Sequence, residues 1–199
     1  VVYSAPLTLF DVSLADWIHV HATPGGLRAF ELVSLAGSPF ALGALTIVVT
    51  VVLGLRRREL LLVGWWAAVV GASILNWTLK QVIQRPRPAY SSAFIADGSF
   101  SFPSGHAMVS LVAYGMLAYL VNVLLLATWR SRAVVSGAAA ALILAIGTSR
   151  LYLGVHYFSD VVGGYAAGVV WLAACISGVE VARRQRDLRD SNVADGWRR

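Results

Sequence analysis

The chain has 199 residues, 58% of them hydrophobic and 13% charged, with a mean hydropathy of +0.70. A soluble domain carries about a quarter charged residues, so this composition excludes an ordinary water-soluble globule. The formal net charge of +6 does not make a nucleic-acid-binding face, because the basic residues gather at the ends of apolar runs, and no nucleic-acid partner is expected.

Residues 1–37 mix apolar and polar positions, and "TPGG" at 23–26 separates two short amphipathic stretches, 11–22 and 27–35. These are expected at the membrane interface, with Trp17 as a headgroup-level anchor. His19 and His21 stand two apart, do not share a helix face, and read as surface histidines. Beyond them, the windows 38–55, 60–79, 107–129 and 133–149 carry almost no charge, and 158–179 carries one acid, Asp160. About twenty apolar residues cross the hydrocarbon core. The sequence therefore predicts an all-α, polytopic transmembrane helix bundle of five spans, a single membrane domain over 1–180, with a charged tail at 181–199 that frays after a helical start.

Arg56–Arg58, Arg130 and Arg132, and Arg183, Arg184, Arg186 and Arg189 follow every second span, as the positive-inside rule requires of cytoplasmic loops. The N-terminal segment, the connection 80–106 and the turn 150–157 then face the outside of the cytoplasmic membrane. Five spans with an outer N-terminus, and a first residue Val1 in place of Met, imply a preceding first span or cleaved signal. Cys175 is the single cysteine, lies inside a span and has no disulfide partner in the chain. Gly164 to Gly168, "GYAAG", is a small-xxx-small pattern expected to pack helices inside the bundle, and Trp65 and Trp66 read as core or lipid-tail contacts.

Three polar clusters share the predicted outer side: "KQVIQRPRP" at 80–88, "PSGH" at 103–106 and "SRLYLGVHYFSD" at 149–160. Singly, each has a plain structural explanation. Lys80 and Arg85 can snorkel, Ser104 can cap a helix, and His156 with Asp160 can tether helices. Jointly, Lys80, Arg87 and Arg150 bring three cations to one compartment beside two histidines, an arrangement suited to phosphate. Ser104 and Gly105 open a helix whose free N–H groups and dipole favour an anion. His156 and Asp160, four apart, are expected on one helix face, the carboxylate fixing the tautomer and leaving the other ring nitrogen to attack. His106 is then available to protonate a leaving group and later to activate water.

Lys80 with Arg87-Pro88, Pro103-Ser104-Gly105-His106, and Ser149-Arg150 with His156 and Asp160 resemble, complete and in order, the three-part signature of the type 2 phosphatidic acid phosphatase (PAP2) superfamily of membrane lipid phosphatases. The resemblance implies a six-helix bundle, here without its first helix, and a metal-independent, cofactor-free hydrolysis of a lipid phosphate or diphosphate. It implies His156 as the nucleophile forming a phosphohistidine, Asp160 as its orienting partner and His106 as general acid and base. It assigns phosphate binding to Lys80, Arg87, Arg150, Ser104 and the backbone of Gly105. A lipid phosphotransferase would use the same residues. Vanadate-dependent haloperoxidases share the motif set but are soluble, and an anion-binding or transport protein has no need of the His156 and Asp160 pair.

Overall fold

The computed structural model of the protein describes residues 5–89 and 99–196. These form seven helices: α1 (Ala5–His21), α2 (Pro24–Leu35), α3 (Pro39–Leu55), α4 (Glu59–Ile83), α5 (Gly105–Leu124), α6 (Trp129–Tyr152) and α7 (Phe158–Gly196). Among the described residues, five runs are long and apolar enough to cross a membrane, the first being Pro24–Leu55, which joins α2 and α3.

Local chemistry sets the starts. Thr23 caps α2 by accepting from Gly26 N, with Pro24 in its first turn, and Ser38 with Pro39 repeats the device for α3. A capping oxygen satisfies a donor that the helix itself cannot, and proline there loses nothing because its missing N–H would be unpaired. "TPGG" is therefore a break, but the second stretch begins at Pro24 rather than 27. It is also bound to the bundle: α2 packs on α6, with Phe30 against Tyr152 at 4.4 Å between ring centroids.

The helix ends depart from the apolar windows in a consistent way. α4 runs to Ile83, past residue 79, and stops where Gln84 takes a left-handed conformation (φ 50°) just before Pro86, which cannot continue a helix. α5 ends at Leu124, short of 129, because Thr128 caps α6 through Ser131 N. Arg130 and Arg132 thus sit in the first turn of α6, not in a loop. The tail is helical at its start, as expected, and α7 runs on to Gly196: "EVARRQRDLRD" is rich in good helix formers and Glu180 pairs with Arg183 at 3.0 Å.

α5 is the centre of the bundle, packed against α4, α6 and α7. Ala107, Met108, Val112, Ala113 and Met116 are fully buried, as is Trp65, whereas Trp66 faces outward. Phe40, Ile47, Val63, Ile74 and Val170 are exposed, the apolar exterior a lipid-facing helix needs. The "GYAAG" run packs internally: a Cβ on Gly164 would come within 2.9 Å of Ser104 O, and one on Gly168 within 3.1 Å of Met108 O. Gly164→Val is accordingly expected to lower the thermal midpoint in detergent by the equivalent of about 1–3 kcal/mol. Gly178→Ala, where no atom lies within 4 Å, should leave the midpoint unchanged or higher. Equal midpoints for both variants would refute the close approach.

Candidate active site

The three polar clusters meet at one end of the bundle. Lys80 occupies the last turn of α4 and donates from Nζ to Phe100 O. After Gln84 the chain is extended through two prolines, and Ser101 N donates to Arg85 O (2.8 Å), which holds 99–101 alongside 85–88. This pairing aims Arg87 inward: Nε and Nη2 donate to Ser99 O and Ser99 Oγ (both 2.9 Å), and Nη1 donates to Val155 O (2.8 Å). Arg150, in the last turn of α6, is buried and donates from Nη1 to Ser34 Oγ (2.5 Å). Its Nε is buried without a partner among the described residues, a donor left for a ligand to satisfy. Arg87 repels both Lys80 and Arg150. Like charges held this close are stabilised by an anion between them.

His156 and Asp160 are brought together, though not on one helix face. His156 lies in the turn before α7, where Gly154 adopts φ 66°, a conformation glycine accepts without cost. Asp160 lies in the first turn of α7 and accepts from Tyr157 N (2.9 Å), the reciprocal half of a capping box. Its Oδ2 also accepts from Ser101 Oγ and stands 3.5 Å from His156 Nδ1. His156 Nε2 is 3.3 Å from Arg87 Nη1. One ring nitrogen therefore faces a carboxylate and the other faces the cations. Burial pushes the His156 pKa down to about 4, Asp160 opposing and Arg87 and Arg150 adding to the shift.

Ser104 caps α5: its Oγ accepts from Ala107 N and its own N–H donates to Asp160 O (3.0 Å). The side chain is fully buried, so it sets the helix start and leaves the first-turn N–H groups of Gly105 and His106 outside the helix's own ladder. His106 feels the charges of Arg150, Arg87 and Lys80 and, with Arg150, lines a cavity of about 580 Å³ walled on its far side by Arg28, Leu32 and Leu35 of α2.

The profile of the PAP2 superfamily matches residues 59–184, a stretch that contains every one of these motif residues. The chain belongs to the PAP2 superfamily. It is 37% identical over 97 residues to phosphatidylglycerophosphatase B of Bacillus subtilis (strain 168), covering 49% of this chain and 47% of that protein. The match thus spans about half the length of that relative. It is 30% identical over 173 residues to dolichyldiphosphatase 1 of Homo sapiens, covering 82% of this chain and 70% of that one. Among solved structures it resembles the transmembrane PAP2 type phosphatidylglycerolphosphate phosphatase from Bacillus subtilis, with a TM-score of 0.79 at 25% identity over 89% of this chain and 88% of the other.

Several residues around this PAP2 site are not evident in the motifs. Arg85, readable as a snorkelling anchor, is buried and ion-paired to Asp160 Oδ1 (2.7 Å) and Asp11 Oδ2 (2.8 Å). Asn76, one turn below Lys80, donates to Pro103 O (3.3 Å) and supports the "PSGH" segment. Gly37, between α2 and α3, is packed so closely that a Cβ would lie 3.1 Å from His106 Cδ2. An asparagine inside an apolar span is costly without a partner, a signal that could have singled out Asn76. Nothing local marks Gly37.

Proposed function

We propose that this protein is an integral-membrane lipid phosphatase that hydrolyses a phosphomonoester or diphosphate through a phosphohistidine on His156, without a metal ion. The observation that carries this reading is the buried His156 ring, with Nδ1 toward Asp160 and Nε2 toward Arg87. Nε2 attacks phosphorus as the bond to the leaving oxygen breaks, and His106 donates a proton to that oxygen. Water, giving its proton to His106, then attacks the phosphohistidine, cleaves the P–N bond and releases inorganic phosphate. Lys80, Arg87, Arg150 and the N–H groups at Gly105 and His106 hold the equatorial oxygens, where charge stabilisation does most for phosphoryl transfer. Ser104 acts by capping the helix that presents those N–H groups.

The leaving group's lipid part fits the cavity beside His106, whose lining includes Leu32, Leu35 and Leu153. The names of the two relatives, one a phosphatidylglycerophosphatase and the other a dolichyldiphosphatase, support a phosphorylated lipid as substrate class. We place the site on the extracytoplasmic face of the cytoplasmic membrane. Arg57, Arg58, Arg183 and Arg186 line one shared cavity remote in sequence from the three motifs, which supports a cytoplasmic end there.

The test is phosphate release from a panel of lipid monophosphates and diphosphates in detergent with chelator present, followed by trapping of an acid-labile phosphoenzyme. Activity lost on chelation, or turnover with no trapped phosphoenzyme, sinks the mechanism. Transfer of the label to a second lipid in place of water would identify a phosphotransferase. Sidedness is checked by a cysteine at Ala96, outside the described residues, in a Cys175→Ala background; labelling that needs lysis would overturn it.

The pH dependence follows from the sign of the His156 shift. A histidine whose pKa falls from 6.5 to about 4 stays neutral, and so nucleophilic, until the pH drops through that lower value. Phosphoenzyme formation in single turnovers is expected to keep its His156-dependent rate down to about pH 5, once the substrate's own ionisation is allowed for. A limb near 6.5 assigned to His156 would contradict the burial.

A further inference from the structure

The motifs account for one side of Asp160, the oxygen facing His156. The other oxygen is held by a buried charge cluster that reaches back to the start of the chain. Arg85 forks between two carboxylates, Asp160 Oδ1 through Nη1 (2.7 Å) and Asp11 Oδ2 through Nη2 (2.8 Å). All three side chains are buried, with residue exposures of 6%, 0% and 1% for Arg85, Asp160 and Asp11. Ser159 closes the ring: its Oγ accepts from Arg85 Nη1 (2.6 Å) and donates to Asp11 Oδ2, and its N–H donates to Asp11 Oδ1 (3.0 Å). The Tyr157 ring lies 4.4 Å from the Arg85 guanidinium carbon. Asp11 belongs to α1 and Ser159 to α7, so this cluster joins the first helix to the helix bearing Asp160.

We propose that Asp11 and Arg85 are positioning residues that act through Asp160 on His156, and that α1 is a working part of the site through them. Stability alone is a weak reason for a buried ion pair, since well-packed apolar side chains often serve as well. Geometry and charge give the reason here. Arg85 fixes the rotation of the Asp160 carboxylate so that Oδ2 stays toward His156 Nδ1. An arginine bound to Asp160 alone would also cancel the negative charge that the imidazole needs as it becomes cationic on attacking phosphorus. Asp11 neutralises Arg85 in turn, which leaves the Asp160 charge available to the ring. Besides Arg85 and His156, Asp160 feels Lys80 and Arg87, whose charges bound phosphate offsets. Asp11 therefore decides how much of Asp160 the histidine receives.

This inference rests on the phosphohistidine reading, and the two fail separately. Turnover by the intact protein and its loss in His156→Ala test that reading alone. With turnover in hand, Asp11→Asn is expected to lower kcat by about tenfold to a hundredfold with KM within about twofold, the size typical of a partner behind a reacting group. Placed on top of Asp160→Asn, it should cost nothing further, because groups acting through one carboxylate are not additive. Arg85→Lys keeps the charge but loses the rigid planar fork that fixes both carboxylates, and serves if Asp11→Asn does not fold; its kcat should fall in the same way. Undiminished kcat in either folded variant, a loss confined to KM, or an additive loss in the Asp160→Asn background would overturn the relay.

Discussion

His156→Ala is expected to lower phosphate release by a factor on the order of 10⁴–10⁶, the range seen when a nucleophile is removed from a site that otherwise stays intact. No neighbour can take its place. Ser101 Oγ is within 3.4 Å of the imidazole, but on the Nδ1 side, away from the cations, and its hydroxyl is given to Asp160. The fold should survive. Arg87 loses one contact and keeps Ser99 and Val155, so the cations remain in place and ground-state binding of a lipid phosphate should persist. The decisive measurement is kcat beside equilibrium binding in detergent. More than about 1% residual turnover in a folded, substrate-binding variant would remove His156 from the role of nucleophile.

Asp160→Asn carries the second largest effect, a fall in kcat of about 10²–10⁴. In a triad of known geometry the corresponding change costs about 10⁴ by leaving the wrong tautomer in place. Here the separation from His156 Nδ1 is 3.5 Å, with Ser101 also close to that nitrogen, so the lower part of the range is favoured. The asparagine oxygen that keeps the Tyr157 N–H bond also still faces His156 Nδ1, so what is lost here is the carboxylate's charge and not the tautomer, and Arg85 keeps Asp11. KM should therefore change little. A loss expressed mainly in KM would mean that Asp160 shapes the phosphate seat and does not orient the ring.

The spans were legible because about twenty apolar residues in a row have few alternatives, but their ends were not. Lys80 is polar yet helical, and the end of an apolar window is not the end of its helix. The motif residues that the structure brings together stand out in the sequence because their identities and order are tied to chemistry. What spacing misjudged was conformation: His156 and Asp160 meet through a turn and a cap, since Gly154 reverses the chain before α7 begins. The Asp11 contacts lay out of reach. Asp11 and Ser159 are 148 positions apart, and no local pattern on α1 says which of its polar residues faces inward. Arg85 is ambiguous for a related reason, because a basic residue beyond a span looks the same whether it points to water or to a buried acid.

The mutual repulsion of Lys80, Arg87 and Arg150 has a consequence for the end of the catalytic cycle. Whatever relieves that repulsion also stabilises the folded protein, by an amount set by its concentration relative to its dissociation constant. Inorganic phosphate, the product of the proposed hydrolysis, has the charge to do so without needing any lipid. On the proposed reading, the seat that draws in a phosphorylated headgroup also takes up what is cut from it, so free phosphate is expected to compete with the lipid for the three cations and to raise the apparent KM.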